Sequence, residues 1–248
     1  VVWDDLVRYC IDRELGGIEN LILIPGSVGA APIQNIGAYG VEVKDRFFLL
    51  EAIELSSGNK RIFTREEWRF GYRDSIFKRE AKGKFLITSI SLRLEKNATP
   101  NTSYGSIKEE LRKMGKEKHP DIRSVGKAVE TIRRAKLPDP DECGNAGSFF
   151  KNPVIPQEQF SELRRRYPET PSYPDSAGMV KVPAGWLIEQ CGWKGKNLGQ
   201  AGVHDRQALV LINKGNASGA EVLKLARSIR ASVHDEFGID MEMEVNIL

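Results

Sequence analysis

Apolar residues recur every three or four positions from Trp3 to Leu15. Leu6, Val7, Cys10 and Ile11 share one side, which predicts a helix closed by Gly16-Gly17. The unbroken run Leu21 to Ile24 predicts a short buried strand. Phe47 to Leu55 and Lys60 to Phe63 flank Ser57-Gly58-Asn59, the pattern of a hairpin. Thr64 with Glu67 reads as a capping box for one short turn, and Phe85 to Leu94 alternates as a strand does. Helices are predicted at Ser106 to Met114, ending at Gly115, and at Ser124 to Lys136. The second stops at Leu137-Pro138-Asp139-Pro140, a natural domain boundary. A glycine-rich stretch follows (Gly144 to Ser148), then helices from about Gln157 to Arg166 and at Ala184 to Gln190, and a strand at Ala208 to Ile212. Ser218 with Glu221 caps a long helix whose Val222, Ala226, Ile229, Val233 and Phe237 face one way. Met241 to Leu248 alternates with period two and predicts a closing strand. Strands and helices mix without repeats, so the class is α+β.

Composition narrows the function classes. The 248 residues suit two domains. With 37 basic and 34 acidic residues the net charge is +3, which implies no polyanion or nucleic-acid partner. The basic runs Arg164 to Arg166 and Lys113 to Lys118 lack interleaved aromatics and read as solvated helix faces. Cys10, Cys143 and Cys191 form no CxxC pair, and their odd number suits a reducing cytoplasm. No apolar run approaches the roughly 20 residues that span a bilayer, so no membrane partner is expected. The opening VVWDDLV reads as the interior of a protein rather than a cleavable leader. His119, His204 and His234 show no ligand spacing, and no metal site is expected.

Four stretches carry candidate chemistry. Ile24 to Gly40, IPGSVGAAPIQNIGAYG, is rich in glycine and alanine and holds no charged residue. It is either a tight structural loop or a backbone cradle for a phosphate, and it matches neither GxGxxG nor a GK[ST] phosphate loop. RFGYRDSIFK (Arg69 to Lys78) sets an arginine among aromatics, as a structural residue or as a holder of a planar anion. GNAGSFFKNP (Gly144 to Pro153) places a serine after Gly147, as a turn residue or as a proton donor; it is not a GxSxG elbow. MEMEVNIL puts Glu242 and Glu244 on one face, which is a solvated edge or a functional pair.

The loop string, GSFFKNP and the terminal glutamates resemble type I UDP-N-acetylenolpyruvoylglucosamine reductases, in order along essentially the entire chain. The resemblance implies a vanillyl-alcohol-oxidase-type FAD-binding domain over 1–137, with a tyrosine-loop insertion near 97–120. A substrate-binding domain over 138–238 would follow, then a strand at 239–248 returning to the FAD-binding region. It implies FAD contacts at Pro25, Gly26, Ser27, Val28, Gly29, Ala30, Ala31, Pro32, Asn35, Gly37, Ala38, Tyr39 and Gly40. Catalytic roles fall on Ser148 as proton donor, Arg73 at the substrate carboxylate and Glu244. Substrate contacts fall on Tyr39, Arg73, Tyr104 (in TSYG), Lys136, Asn152 and Gln207. Nothing in the chain corresponds to the family's more N-terminal flavin-contacting turn, so weak FAD affinity of this polypeptide alone is expected.

The implied activity is reduction of UDP-N-acetylglucosamine enolpyruvate to UDP-N-acetylmuramate with FAD and NADPH, by a cytoplasmic monomer. The alternatives are another oxidoreductase of the same flavin fold and an inactive, nucleotide-sugar-binding remnant.

Overall fold

A computed structural model describes residues 1–247; Leu248, the last residue of the predicted closing strand, lies outside them. The chain divides into two compact units, Val1–Ala135 and Lys136–Leu248. Every strand pairing in both is antiparallel, the arrangement of an α+β protein.

The first unit opens on α1 (Trp3–Asp12), whose Trp3, Val7 and Cys10 are buried. The predicted helix is shorter than expected because Glu14 turns left-handed (φ 60°), releasing β1 (Leu15–Gly16) to another partner. The predicted strand at Leu21 to Ile24 is absent. Glu19–Leu21 forms a 3-10 turn, Leu23 takes φ 61°, and its N–H is spent on Asp4 Oδ1 at 2.7 Å. The chain then forms the small hairpin β2 (Gly37–Ala38) and β3 (Val41–Glu42). β4 (Phe47–Glu54) sits centrally between β5 (Lys60–Thr64) and β6 (Phe85–Leu92). Glu54 N–H closes the predicted hairpin on Asn59 O at 2.9 Å. Leu50 pairs with Phe63 and Ile90, and this face packs on Trp68 and Phe77; Trp68 is fully buried. β7 (Glu95–Lys96) pairs with β1. The helices α2 (Gly105–Lys113) and α3 (Ile122–Lys136) bury Ile107, Leu111, Val125, Val129 and Ile132 against α1. Gly126 lets the helices approach closely: a Cβ there would lie 2.8 Å from Ile11 Cδ1.

The second unit is built on β8 (Gly144–Ser148). It continues through β9 (Val154–Pro156), α4 (Gln157–Arg166), β10 (Tyr173–Pro174), β11 (Met179–Lys181) and α5 (Ala184–Gln190). β12 (Asn197–Leu198), β13 (Ala201–Val203) and β14 (Val210–Asn213) precede α6 (Gly219–Phe237). One sheet has the order β12-β13-β14-β8 and another β10-β11-β9. Leu225, Ala226, Ile229, Val233 and Phe237 bury one stripe of α6 in the core.

Ser218 accepts from Glu221 N–H while the Glu221 carboxylate accepts from Ser218 N–H at 2.9 Å, so both arms of the predicted box form. Ser218→Ala is expected to cost about 1 kcal/mol, read as a lowered urea midpoint with unchanged slope.

Two expectations fail here. Gly144 to Ser148 is a strand rather than a tight turn, because β14 supplies a ladder from Val210 to Asn213. The closing strand shrinks to a single Phe150–Met243 bridge. The segment nevertheless lies extended, with Lys151 N–H on Glu242 O and Glu244 N–H on Phe149 O, both at 2.9 Å.

Candidate functional site

In the first unit, the glycine-rich stretch is held on both sides by other backbone. Trp3 N–H donates to Gly26 O at 2.9 Å and Val28 N–H to Val1 O at 3.0 Å, bracketing a Val2–Ser27 bridge. Turns follow, with Ala30 and Ala31 N–H groups on Ser27 O and Ile36 N–H on Ala31 O. The β2–β3 hairpin then turns on Tyr39-Gly40 (φ 49° and 81°), where left-handed backbone favours glycine. Pro25, Gly26, Ser27, Ala30 and Gly40 are exposed, while Ala31, Pro32, Asn35 and Gly37 are buried. Val28, Gly29, Ala38 and Tyr39 lie between these extremes.

Three side-chain bonds staple this loop to the RFGYRDSIFK segment. Buried Asn35 donates from Nδ2 to Gly71 O at 3.0 Å and to Glu42 Oε2 at 2.9 Å, and its Oδ1 accepts Lys44 N–H at 3.1 Å. Buried Ser75 donates to Ile33 O at 2.5 Å. Arg73 donates from a terminal guanidinium nitrogen to Gly37 O at 2.6 Å. Arg73 itself is left-handed (φ 53°), in a turn closed by paired Gly71 and Asp74 backbone groups. Gly37 has no room for a side chain: a Cβ would lie 2.9 Å from Val41 O and 3.0 Å from the Arg73 guanidinium. The structure therefore brings Arg73 against the predicted FAD contact Gly37.

Tyr39 and Tyr104 meet edge to face, with ring centroids 5.3 Å apart. Burial pushes the Tyr39 hydroxyl above the ordinary tyrosine range, with the Arg133 charge opposing. Arg133 was not singled out from sequence. It donates to Leu23 O at 3.0 Å where the loop begins, and desolvation lowers its pKa. Its Nε is buried with no hydrogen-bond partner among the described residues.

In the second unit, Ser148 is exposed at the end of β8, its backbone paired with Val210. The next residue, Phe149, accepts Glu244 N–H, which brings the two predicted catalytic positions onto adjacent extended segments. Lys151 Nζ binds Glu242 Oε1 at 2.6 Å and ties the same two segments together. Asn152 Oδ1 accepts Ala184 N–H at 2.9 Å, at the start of α5. Gln207 Oε1 accepts Leu209 N–H at 3.3 Å and lies 3.2 Å from where a Gly185 Cβ would be. Both predicted substrate amides thus meet the first turn of α5, and Lys136 is the last residue of α3. Burial raises the Cys10 thiol and pushes Cys191 up to about 11, so neither is a thiolate nucleophile at neutral pH. Among the described residues no helix is long and apolar enough to cross a membrane, and no cluster of His, Cys, Asp and Glu suits a metal.

Residues 139–248 match the family model described as UDP-N-acetylenolpyruvoylglucosamine reductase, C-terminal domain. The UDP-N-acetylenolpyruvoylglucosamine reductase of Burkholderia ambifaria is 54% identical over 245 residues, covering 98% of this chain and 70% of that protein. That of Flavobacterium johnsoniae is 50% identical over 247 residues, covering 99% and 73%. The crystal structure of the Thermus caldophilus reductase superposes with a TM-score of 0.67, covering 99% of this chain and 69% of its own. At 24% sequence identity, that likeness speaks for the fold.

Proposed function

The chain belongs to the UDP-N-acetylenolpyruvoylglucosamine reductase family, oxidoreductases of peptidoglycan synthesis, and from that premise we propose that it carries that reduction with FAD and NADPH. The observation that carries the reading is the stapling of the uncharged glycine-rich loop to the Arg73 turn. The loop fits a flavin nucleotide. Its exposed positions bear small uncharged side chains, and beside Gly26 (φ 114°) a Cβ would meet nothing within 4 Å, so backbone is open to an approaching phosphate.

Held by this loop, FAD would supply the redox chemistry that links NADPH oxidation to reduction of the enolpyruvyl group. The chain's own residues manage charge and the proton. Negative charge grows on the substrate carboxylate as C3 is reduced, and the Arg73 guanidinium stabilises it. Glu244 orients the donor or holds the enolic form, and Ser148 delivers the proton to C2. Tyr39, Tyr104, Lys136, Asn152 and Gln207 hold the nucleotide sugar. The setting is the cytoplasm and the working form a monomer.

The direct test supplies the purified protein with FAD and NADPH and measures NADPH oxidation with and without UDP-N-acetylglucosamine enolpyruvate. Substrate-dependent oxidation with a product two mass units heavier is expected. Flavin binding without any substrate-dependent turnover would sink the reading in favour of a nucleotide-sugar-binding role.

A further inference from the structure

The loop bearing Tyr104 is bolted to the Tyr39-Gly40 turn by two asparagines. Asn20, fully buried, donates from Nδ2 to two carbonyls of different elements, Tyr39 O at 3.1 Å and Asn101 O at 2.9 Å. Asn101 reaches back, donating from Nδ2 to Gly40 O at 3.0 Å. Its Oδ1 accepts both Ser103 N–H at 2.9 Å and Ser103 Oγ–H at 2.7 Å, which shapes the approach to Tyr104. The fit demands glycine at 40: φ is 81°, and a Cβ would lie 3.2 Å from Asn101 Nδ2 and 3.3 Å from Ser103 Oγ. Across the latch the two tyrosine rings pack at 5.3 Å. Asn20 Oδ1 is left buried with no partner among the described residues, so the amide is oriented for its two donors alone.

We propose that Asn101, clamped by Asn20, is a positioning residue that sets how much of the time Tyr104 is docked on the Tyr39 turn, and hence how well both rings are presented to substrate. The consequence for substrate rests on the reductase reading; the latch does not. Asn20 holds the fixed side of the latch and Asn101 the releasable side, because Asn101 is partly exposed on a short loop and Asn20 is in the core. A local opening that breaks these bonds loosens the approach to Tyr104 from its N-terminal side, while its carbonyl still accepts Ile107 N–H at 3.0 Å as the N-cap of α2.

Two substitutions separate a latch from a turn. Asn101→Ala removes every side-chain bond. Asn101→Asp keeps the acceptor that Ser103 uses but replaces the Gly40 donor by a carboxylate oxygen facing a carbonyl. Limited chymotrypsin digestion of the full chain, read by mass spectrometry as cleavage after Tyr104, reports the opening, with exposed Leu55 in the β4–β5 turn as internal control. Both variants are expected to speed that cut about tenfold, the scale of one lost hydrogen bond or somewhat more. Cleavage after Leu55 should stay unchanged, and the urea midpoint should fall only by the same tenfold equivalent, about 1.4 kcal/mol, with an unchanged slope. With FAD loaded, both should raise KM for the enolpyruvyl nucleotide about tenfold and leave the rate of flavin reduction by NADPH as in the parent.

If Asn101→Asp is cut at the parental rate, Asn101 only shapes a turn and the latch is overturned. If the cut speeds up while KM holds, the positioning role is overturned. A parent that shows no substrate-dependent turnover defeats the reductase reading, and the digestion still decides the latch.

Discussion

Replacing Ser148 by alanine is expected to slow the second half-reaction, reoxidation by the enolpyruvyl substrate, by roughly 10²–10⁴-fold, the span of a positioned general acid. The first half-reaction, bleaching by NADPH, should keep a near-parental rate. The structure favours a clean experiment, because Ser148 is exposed at a strand end and its pairing with Val210 uses backbone alone. Alanine therefore removes a hydroxyl without removing a ladder bond, and the fold should tolerate it. Ser148→Cys should restore part of the rate, since a thiol also gives up a proton. Anaerobic stopped-flow absorbance, run separately on each half-reaction, reads both. Should the alanine variant reoxidise like the parent, the proton comes from another group and Ser148 merely ends a strand.

Arg73→Lys is expected to lower the same second half-reaction by about 10²–10³-fold, the cost of losing an oriented donor to developing charge. Lysine keeps the positive charge but not the planar fork that suits a carboxylate. Arg73 also contacts Gly37 O, so a purely structural arginine is the competing account. The two differ in their pattern across half-reactions. A residue acting on the substrate carboxylate leaves NADPH oxidation untouched, whereas loosening the loop weakens FAD binding and slows both steps alike. Equal losses in both, with a raised FAD dissociation constant, would assign Arg73 to the scaffold.

How much of this was legible depended on the range of the forces involved. The helices α4 and α5 begin and end where the pattern placed them, and the Ser218–Glu221 box forms as read, because spacing and caps act within a few residues. Leu21 to Ile24 failed as a strand because the N–H of Leu23 goes to Asp4, a tertiary contact that no local pattern announces. Gly144 to Ser148 became a strand through β14, more than sixty residues away in sequence, and glycine content alone suggested a turn. Among the site residues, Arg73 stood out by its aromatic neighbours, but its bond to Gly37 crosses 36 positions. Asn20, Asn101 and Arg133 carried no signal at all. Asn101 bonds Ser103 two positions on, but the other partners of these three lie 19 to 110 positions off, and an isolated asparagine or a basic residue on a helix looks the same whether buried or solvated.

The orientation of two amides has a consequence for ligand choice. Asn152 has given its oxygen to Ala184 N–H, and Gln207 has given its own to Leu209 N–H. Each bond fixes the orientation of its amide, because the oxygen cannot trade places with the NH₂ group without losing the backbone N–H. The oxygen keeps its second lone pair beside that N–H, so the two ends of each amide sort hydrogen-bonding sense by position. A phosphate, carbonyl or ether oxygen is matched only at the NH₂ end, and a hydroxyl or amino group that must donate is matched only at the oxygen. A ligand that brings the wrong sense to either end forfeits the bond, a penalty of about 1–3 kcal/mol when the group is desolvated. The sorting is set by the backbone N–H groups behind the amides.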